Sequence, residues 1–130
     1  MSDELHKILY VEDDEDVAEV AKMTLEDLGG FEVNHNNCGS KALEALETYV
    51  PDLILLDVMM PGMDGPETMQ YMRGMPNGKD TPVVFMTAKA QVHEQQSYLD
   101  LGAVGVLVKP FDPLTLCDSL RALWKKANNE

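Results

Sequence analysis

The sequence predicts an α/β fold, a doubly wound parallel sheet of five strands flanked by five helices. Three observations predict it. Short apolar runs alternate five times with segments whose apolar residues recur at three-to-four spacing. No repeat, linker or low-complexity stretch interrupts that alternation. The run Leu53-Ile54-Leu55-Leu56 is apolar throughout, as a strand buried on both faces requires. Parallel neighbours need crossovers long enough to carry a helix, and right-handed crossovers place those helices on both faces.

The first strand is expected at about Lys7 to Glu12. The first helix follows, with Val17, Val20, Ala21, Thr24, Leu25 and Leu28 as its apolar positions, and Gly29-Gly30 supply the left-handed residue that ends it. The second strand is expected at about Phe31 to His35. The second helix runs from about Ser40 to Tyr49 on a stripe of Ala42, Leu43, Ala45 and Leu46, with Pro51 beyond its end. The third strand ends in Asp57, and the chain then turns on Pro61, Gly62 and Gly65. Pro66 suits the first turn of the third helix, which carries Met69, Tyr71 and Met72 before a polar loop from Gly74 to Thr81. The fourth strand is Val83 to Thr87. The fourth helix spans about Gln91 to Leu101 and stops at Gly102, and Val104 to Val108 form the last strand. Asp112 as cap and Pro113 as first helical residue begin the fifth helix, whose inner stripe is Leu116, Cys117, Leu120, Leu123 and Trp124. Lys125 and Lys126 fall at the negative end of its dipole.

A chain of 130 residues fits one domain and buries about two thirds of the surface its unfolded form exposes. The expectation is a single unit over 1–130 with its core at about 6–127 and no output domain. Cys38 and Cys117 lie far apart with no CxxC or Cys/His cluster, so they read as packing thiols in a reducing cytosol. The segment Met1-Ser2-Asp3-Glu4 is neither basic nor apolar, and no apolar run approaches the ~20 residues of a membrane helix. A cytoplasmic protein is expected. The net charge of -13 repels nucleic acid phosphates and anionic lipid, which argues against both as partners.

The polar residues that interrupt the apolar runs gather at one edge. Glu12-Asp13-Asp14 close the first strand, Asp57 the third, Thr87 the fourth and Lys109-Pro110 the fifth. In open parallel sheets ligands bind beyond the carboxyl ends of the strands, so these residues read as one site. Glu12, Asp13 and Asp57 brought together repel one another by about 3 kcal/mol per pair at ~5 Å and an effective dielectric of ~20. Such a cluster calls for a cation, and oxygen donors with room for water suit Mg²⁺. No EF-hand spacing, GxGxxG or GxxxxGK[ST] occurs. A carboxylate beside Mg²⁺, a lysine and a hydroxyl is equipped for phosphoryl transfer to an aspartate. Asp57 attacks phosphorus, Lys109 neutralises the phosphoryl oxygens and Thr87 donates a hydrogen bond to one of them.

The stretches Ile8-Leu9-Tyr10-Val11-Glu12-Asp13-Asp14, Leu55-Leu56-Asp57-Val58-Met59-Met60-Pro61-Gly62-Met63-Asp64-Gly65, Met86-Thr87-Ala88-Lys89-Ala90 and Val108-Lys109-Pro110-Phe111 together resemble the receiver domain of two-component response regulators. The likeness runs the length of the chain and is to the single-domain, CheY-like members. It implies a flavodoxin-like sheet of strand order 2-1-3-4-5. It also implies that Asp57 is the phosphoacceptor, Asp13 a direct Mg²⁺ ligand and Glu12 the second acid, acting through water. Met59 then offers a backbone carbonyl to the metal, Thr87 is the switch hydroxyl and Lys109 the phosphate-binding lysine. Asp14 falls outside the acid pair and stands in reserve. Met59 and Lys89 flank the pocket mouth in this family.

One departure matters. The position three before the lysine usually holds Phe or Tyr, whose ring moves inward on activation, and here it is Val106. Val106 reads equally as a plain strand residue and as a change to the switch. The implied partners are a histidine kinase or histidine phosphotransfer protein, and a downstream protein bound through the face of the fourth helix, fifth strand and fifth helix. A chemotaxis-type effector and a phosphorelay intermediate stay open, as do a monomer and a weak dimer. Two other readings compete: a metal-dependent phosphatase or hydrolase with an aspartyl-phosphate intermediate, and a phosphorylation-independent scaffold. The first lacks its acid-x-acid motif at Asp57-Val58-Met59, and the second usually lacks members of the acid pocket.

Overall fold

The computed structural model describes residues 4–88 and 91–128. Its elements follow in the order β1 (Lys7–Val11), α1 (Glu15–Asp27), β2 (Glu32–Asn36), α2 (Gly39–Leu46), β3 (Leu53–Asp57), α3 (Gly65–Met72), β4 (Val83–Thr87), α4 (Val92–Asp100), β5 (Gly105–Val108) and α5 (Leu116–Asn128). The sheet is five-stranded and parallel, in the order β2-β1-β3-β4-β5. This is the CheY-like, flavodoxin-type arrangement that the sequence implied.

Alternation along the strands sorts the core into two layers. Ile8, Tyr10, Leu53, Leu55, Val84 and Met86 face α1 and α5, where they meet Ala18, Ala21, Leu25, Leu116, Leu120 and Trp124. Leu9, Val11, Ile54, Leu56, Val83 and Phe85 face the other way, onto Ala42 and Leu46 of α2 and Met69 and Met72 of α3. β3 and β4 are buried at every position, whereas the edge strands β2 and β5 are only partly covered.

Several elements sit differently from the sequence expectation. α1 buries Ala18, Ala21, Thr24 and Leu25, while Val20 and Leu28 are exposed. The small residues Ala18 and Ala21 let the helix lie close on the sheet, and the larger valine faces outward. Gly30, at φ +69°, ends α1 by letting its own N–H and that of Phe31 fold back to the Glu26 and Leu25 carbonyls. α2 stops at Leu46, short of Tyr49. Tyr71 of α3 is exposed. Helical hydrogen bonding in α5 begins at Leu116 rather than Pro113. Asp112 first makes a turn, its Oδ1 accepting from Leu114 N–H and its carbonyl from Thr115 and Leu116 N–H. α4 buries no residue; its Tyr98 ring packs on Phe85 with centroids 5.3 Å apart. No helix among the described residues is long and apolar enough to cross a membrane.

Candidate functional site

The carboxyl ends of β1, β3, β4 and β5 converge on the acids the sequence singled out. Glu12 directly follows β1, held in the ladder by its N–H bond to the Asn36 carbonyl, and its carboxylate is fully buried. Asp57 ends β3 and is 3% exposed. Carboxylate oxygens of Glu12, Asp13 and Asp57 all lie within 4.8 Å of one another. Lys109 enters from the end of β5, its N–H bonded to the Thr87 carbonyl and its peptide bond to Pro110 in the cis form. The Lys109 ammonium bridges the two buried acids, with Nζ 2.7 Å from Glu12 Oε1 and 3.0 Å from Asp57 Oδ1. Thr87 ends β4 beside this pair, buried, in register with Val108.

The loop after β3 is shaped by two glycines that act in different ways. Gly62 adopts φ +79°, which only glycine takes without strain. Gly65 instead permits close approach, since a Cβ there would lie 2.5 Å from the Asp57 carbonyl oxygen and 2.9 Å from Val58 Cα. Its N–H also binds the Val58 carbonyl, so α3 starts directly against the backbone that carries Asp57. The sequence suggested a turn residue at Gly65; the contact across to Asp57 is tertiary and leaves no local signal. Asp64 caps α3 by accepting from Glu67 N–H.

Burial and the neighbouring Glu12 push the Asp57 carboxyl up to about 7, against the opposing pull of Lys109. Burial alone would lower the Lys109 ammonium; hydrogen bonds and charge from Glu12 and Asp57 outweigh it and raise Lys109 instead. Tyr10, beneath the site in the α1 and α5 layer, is also raised, first by burial and then by the charges of Glu12, Asp57 and Asp14. The three acids present hard oxygen donors at the spacing a divalent cation spans, so their chemistry fits Mg²⁺.

Other sequence candidates fall in place around this centre. Asp14 is not part of the cluster; it caps α1, its Oδ1 accepting from Asp16 and Val17 N–H. Met59, two residues beyond Asp57, is 64% exposed. Val106 is half-buried in β5, in register with Phe85, whose ring packs on Tyr98 of α4. Lys89 lies outside the described residues. What sequence reasoning missed is Tyr10, whose apolar setting hid a buried hydroxyl with no hydrogen-bond partner among the described residues. A half-open groove of about 480 Å³, lined by Val17, Val20, Ala88, Pro110, Phe111 and Pro113, adjoins Lys109 and also has no sequence signature.

Comparison with known proteins agrees with this geometry. The response regulator receiver domain family matches residues 8–121. Response regulator MprA of Mycobacterium tuberculosis is 37% identical over 124 residues, which cover 95% of this chain and 53% of that protein. The chain thus spans about half the length of the curated relatives it matches. Among solved structures, chemotaxis protein CheY4 of Vibrio cholerae is 34% identical with a TM-score of 0.84, covering 92% of this chain and 98% of that one. The receiver domain of sensor histidine kinase PA1611 from Pseudomonas aeruginosa, solved with a magnesium ion coordinated in its active site cleft, is 29% identical. Its TM-score is 0.81, and the match covers 92% of this chain and 97% of that one. With strand order, acid cluster and lysine already in place, this chain belongs to the response regulator receiver domain family of two-component systems.

Proposed function

We propose that Asp57 accepts a phosphoryl group from a phosphohistidine, on a histidine kinase or a histidine phosphotransfer protein, in a Mg²⁺-dependent reaction. The observation that carries this reading is the cluster of buried Glu12 and Asp57, bridged by the Lys109 ammonium, with half-buried Asp13 beside them. Asp13, Asp57 and the Met59 carbonyl would hold the metal, with Glu12 acting through water; the magnesium in the cleft of the PA1611 receiver supports that assignment. When bound, Mg²⁺ supplies positive charge to the phosphoryl oxygens.

An Asp57 oxygen attacks phosphorus in line as the bond to the donor imidazole nitrogen breaks, and the electron pair leaves with the imidazole. Lys109 turns its charge onto the phosphoryl group and Thr87 donates a hydrogen bond to one of its oxygens. Attack of water on the acyl phosphate returns the Asp57 carboxylate and inorganic phosphate. The protein turns over only its own phosphoryl group, a signalling phosphoacceptor rather than an enzyme with a separate substrate. The apolar groove beside Lys109 gives the phosphohistidine-bearing partner a surface within reach of Asp57.

The phosphorylated state is read by a protein partner through α4, β5 and α5, or is spent in onward phosphotransfer. α4 buries no residue, which makes it the element most readily shifted when Thr87 moves toward the phosphoryl group. With Val106 in place of a ring, that shift proceeds through the Thr87 loop without an aromatic toggle.

Incubation with acetyl phosphate and Mg²⁺, followed by phosphate-affinity electrophoresis, tests the assignment. A retarded band is expected for the wild type, absent without Mg²⁺ and absent in Asp57→Asn. Asp13→Asn and Lys109→Ala are expected to slow its appearance by about tenfold or more, the scale of losing one charged contact to the transition state. A retarded band of equal intensity in Asp57→Asn contradicts the assignment.

A further inference from the structure

His35 is half-buried near the end of β2 and lies opposite Tyr10 in the ladder of β1 and β2, where the two rings pack with centroids 5.4 Å apart. Its Nε2 is 2.9 Å from the Glu12 carbonyl oxygen. A carbonyl oxygen only accepts, so that ring nitrogen carries the proton and donates. The bond falls where the ladder runs out. Glu12 N–H still binds the Asn36 carbonyl, but β2 ends at Asn36 and the chain turns away into α2, whose N-cap is Cys38. The next rung, which would take the Glu12 carbonyl, passes to the His35 side chain.

That carbonyl belongs to the planar peptide unit that carries the Asp13 N–H. Holding the oxygen fixes the plane from which Asp13 departs. The far side of Asp13 is held as well. Asp14 N–H donates to Glu12 Oε2 at 3.3 Å, and Asp14 Oδ1 accepts from Asp16 and Val17 N–H at the start of α1. Glu12 and Asp57 are placed by their strands and by Lys109, whereas half-buried Asp13 takes its place from this turn.

We propose that His35 is a positioning residue for the metal site, its Nε2–H holding the Glu12 carbonyl so that the Asp13 carboxylate already faces Glu12 and Asp57 before Mg²⁺ arrives. The inference rests on the reading of Asp13 and Asp57 as the acids that hold Mg²⁺. Acids held within 4.8 Å of one another repel. Without the His35 bond the turn relaxes and Asp13 moves away, so binding must first bring it back.

The test uses the full chain with two variants. His35→Phe keeps a ring on Tyr10 but has no donor, and the side-chain amide of His35→Gln offers an N–H in place of Nε2. Mg²⁺ affinity is read from backbone amide resonances in a titration well below each melting temperature. His35→Phe is expected to bind Mg²⁺ about fivefold more weakly, the scale of one hydrogen bond. His35→Gln is expected to return to within about twofold of the wild type. In the metal-free wild type, the ring nitrogen resonances of His35 are expected to place a proton on Nε2. Equal Mg²⁺ affinity in His35→Phe and the wild type overturns the proposal; a lower melting temperature alone marks a purely structural role. So does a His35→Gln that binds as weakly as His35→Phe, or a wild-type ring with no proton on Nε2. The ring measurement needs no variant and decides the matter if His35→Phe does not fold. A wild type that binds no Mg²⁺ overturns the metal reading itself, and is thereby distinguished from failure of the His35 step alone.

Discussion

Lys109 holds together two carboxylates that repel each other, and much of the behaviour of this site follows from that arrangement. Asp57 is pushed up to about 7 from an ordinary 3.8, first by burial and then by Glu12. The folded protein therefore binds the Asp57 proton more tightly than the unfolded chain does. The resulting stabilisation is complete below about pH 4 and is lost as the pH rises through about 7. Metal-free Asp57→Asn, which has no charge to bury, is expected to be more stable than the wild type at pH 8 by about 1–3 kcal/mol. The difference should shrink toward pH 5. Denaturant melts of both proteins in chelator at the two pH values check this, and a gap that widens on acidification contradicts the sign. The acids and the lysine were legible in the sequence because each ends an apolar run, where a charged residue stands out. Tyr10 was not. A hydroxyl on an aromatic ring within an apolar strand looks like core, and only the folded packing shows that it lacks a partner among the described residues.

At the scale of the elements, the β3 to α3 connection sets where Asp57 points. Gly65 lies so close to the Asp57 carbonyl that any side chain must push β3 and α3 apart. Gly65→Ala is expected to destabilise the protein by about 1–3 kcal/mol through overpacking. It should also slow acetyl phosphate labelling by more than the loss of folded protein explains, because the displaced backbone carries Asp57, the proposed phosphoacceptor. Melting temperature and labelling rate measured on the same sample separate the two effects, and an unchanged melting temperature contradicts the contact. Strand and helix order were legible from periodicity, and the ends of α1 and α4 from Gly30 and Gly102, both at positive φ. The buried face of α1 was read correctly at Ala21, Thr24 and Leu25, but periodicity favours the larger apolar residues and so included Val20 and Leu28, which are exposed. Close approach to the sheet selects the small Ala18 instead. The start of α5 was placed too early because Pro113 suits a first helical turn equally well as the isolated turn it makes here.

Across the whole molecule, a five-stranded parallel sheet brings residues from four strand ends to one point. Glu12, Asp57, Thr87 and Lys109 are spread over 98 positions of sequence, yet the order β2-β1-β3-β4-β5 sets β1, β3, β4 and β5 side by side. Both layers of helices pack against the faces of the sheet, so these four side chains meet at its carboxyl edge. The edge was legible as a whole because each strand announced its own end. The groove between α1 and the β5 to α5 loop was not, since it exists only once those distant segments pack. This convergence is what makes Asp57 the proposed carrier of a phosphoryl group. The most direct measurement is borohydride trapping of protein treated with acetyl phosphate and Mg²⁺, followed by peptide mass mapping. Reduction of an aspartyl phosphate leaves homoserine, and homoserine is predicted at position 57 and in no other peptide. Homoserine at another aspartate, hydroxynorvaline at a glutamate, or a phosphoryl adduct that resists both alkali and borohydride would contradict it.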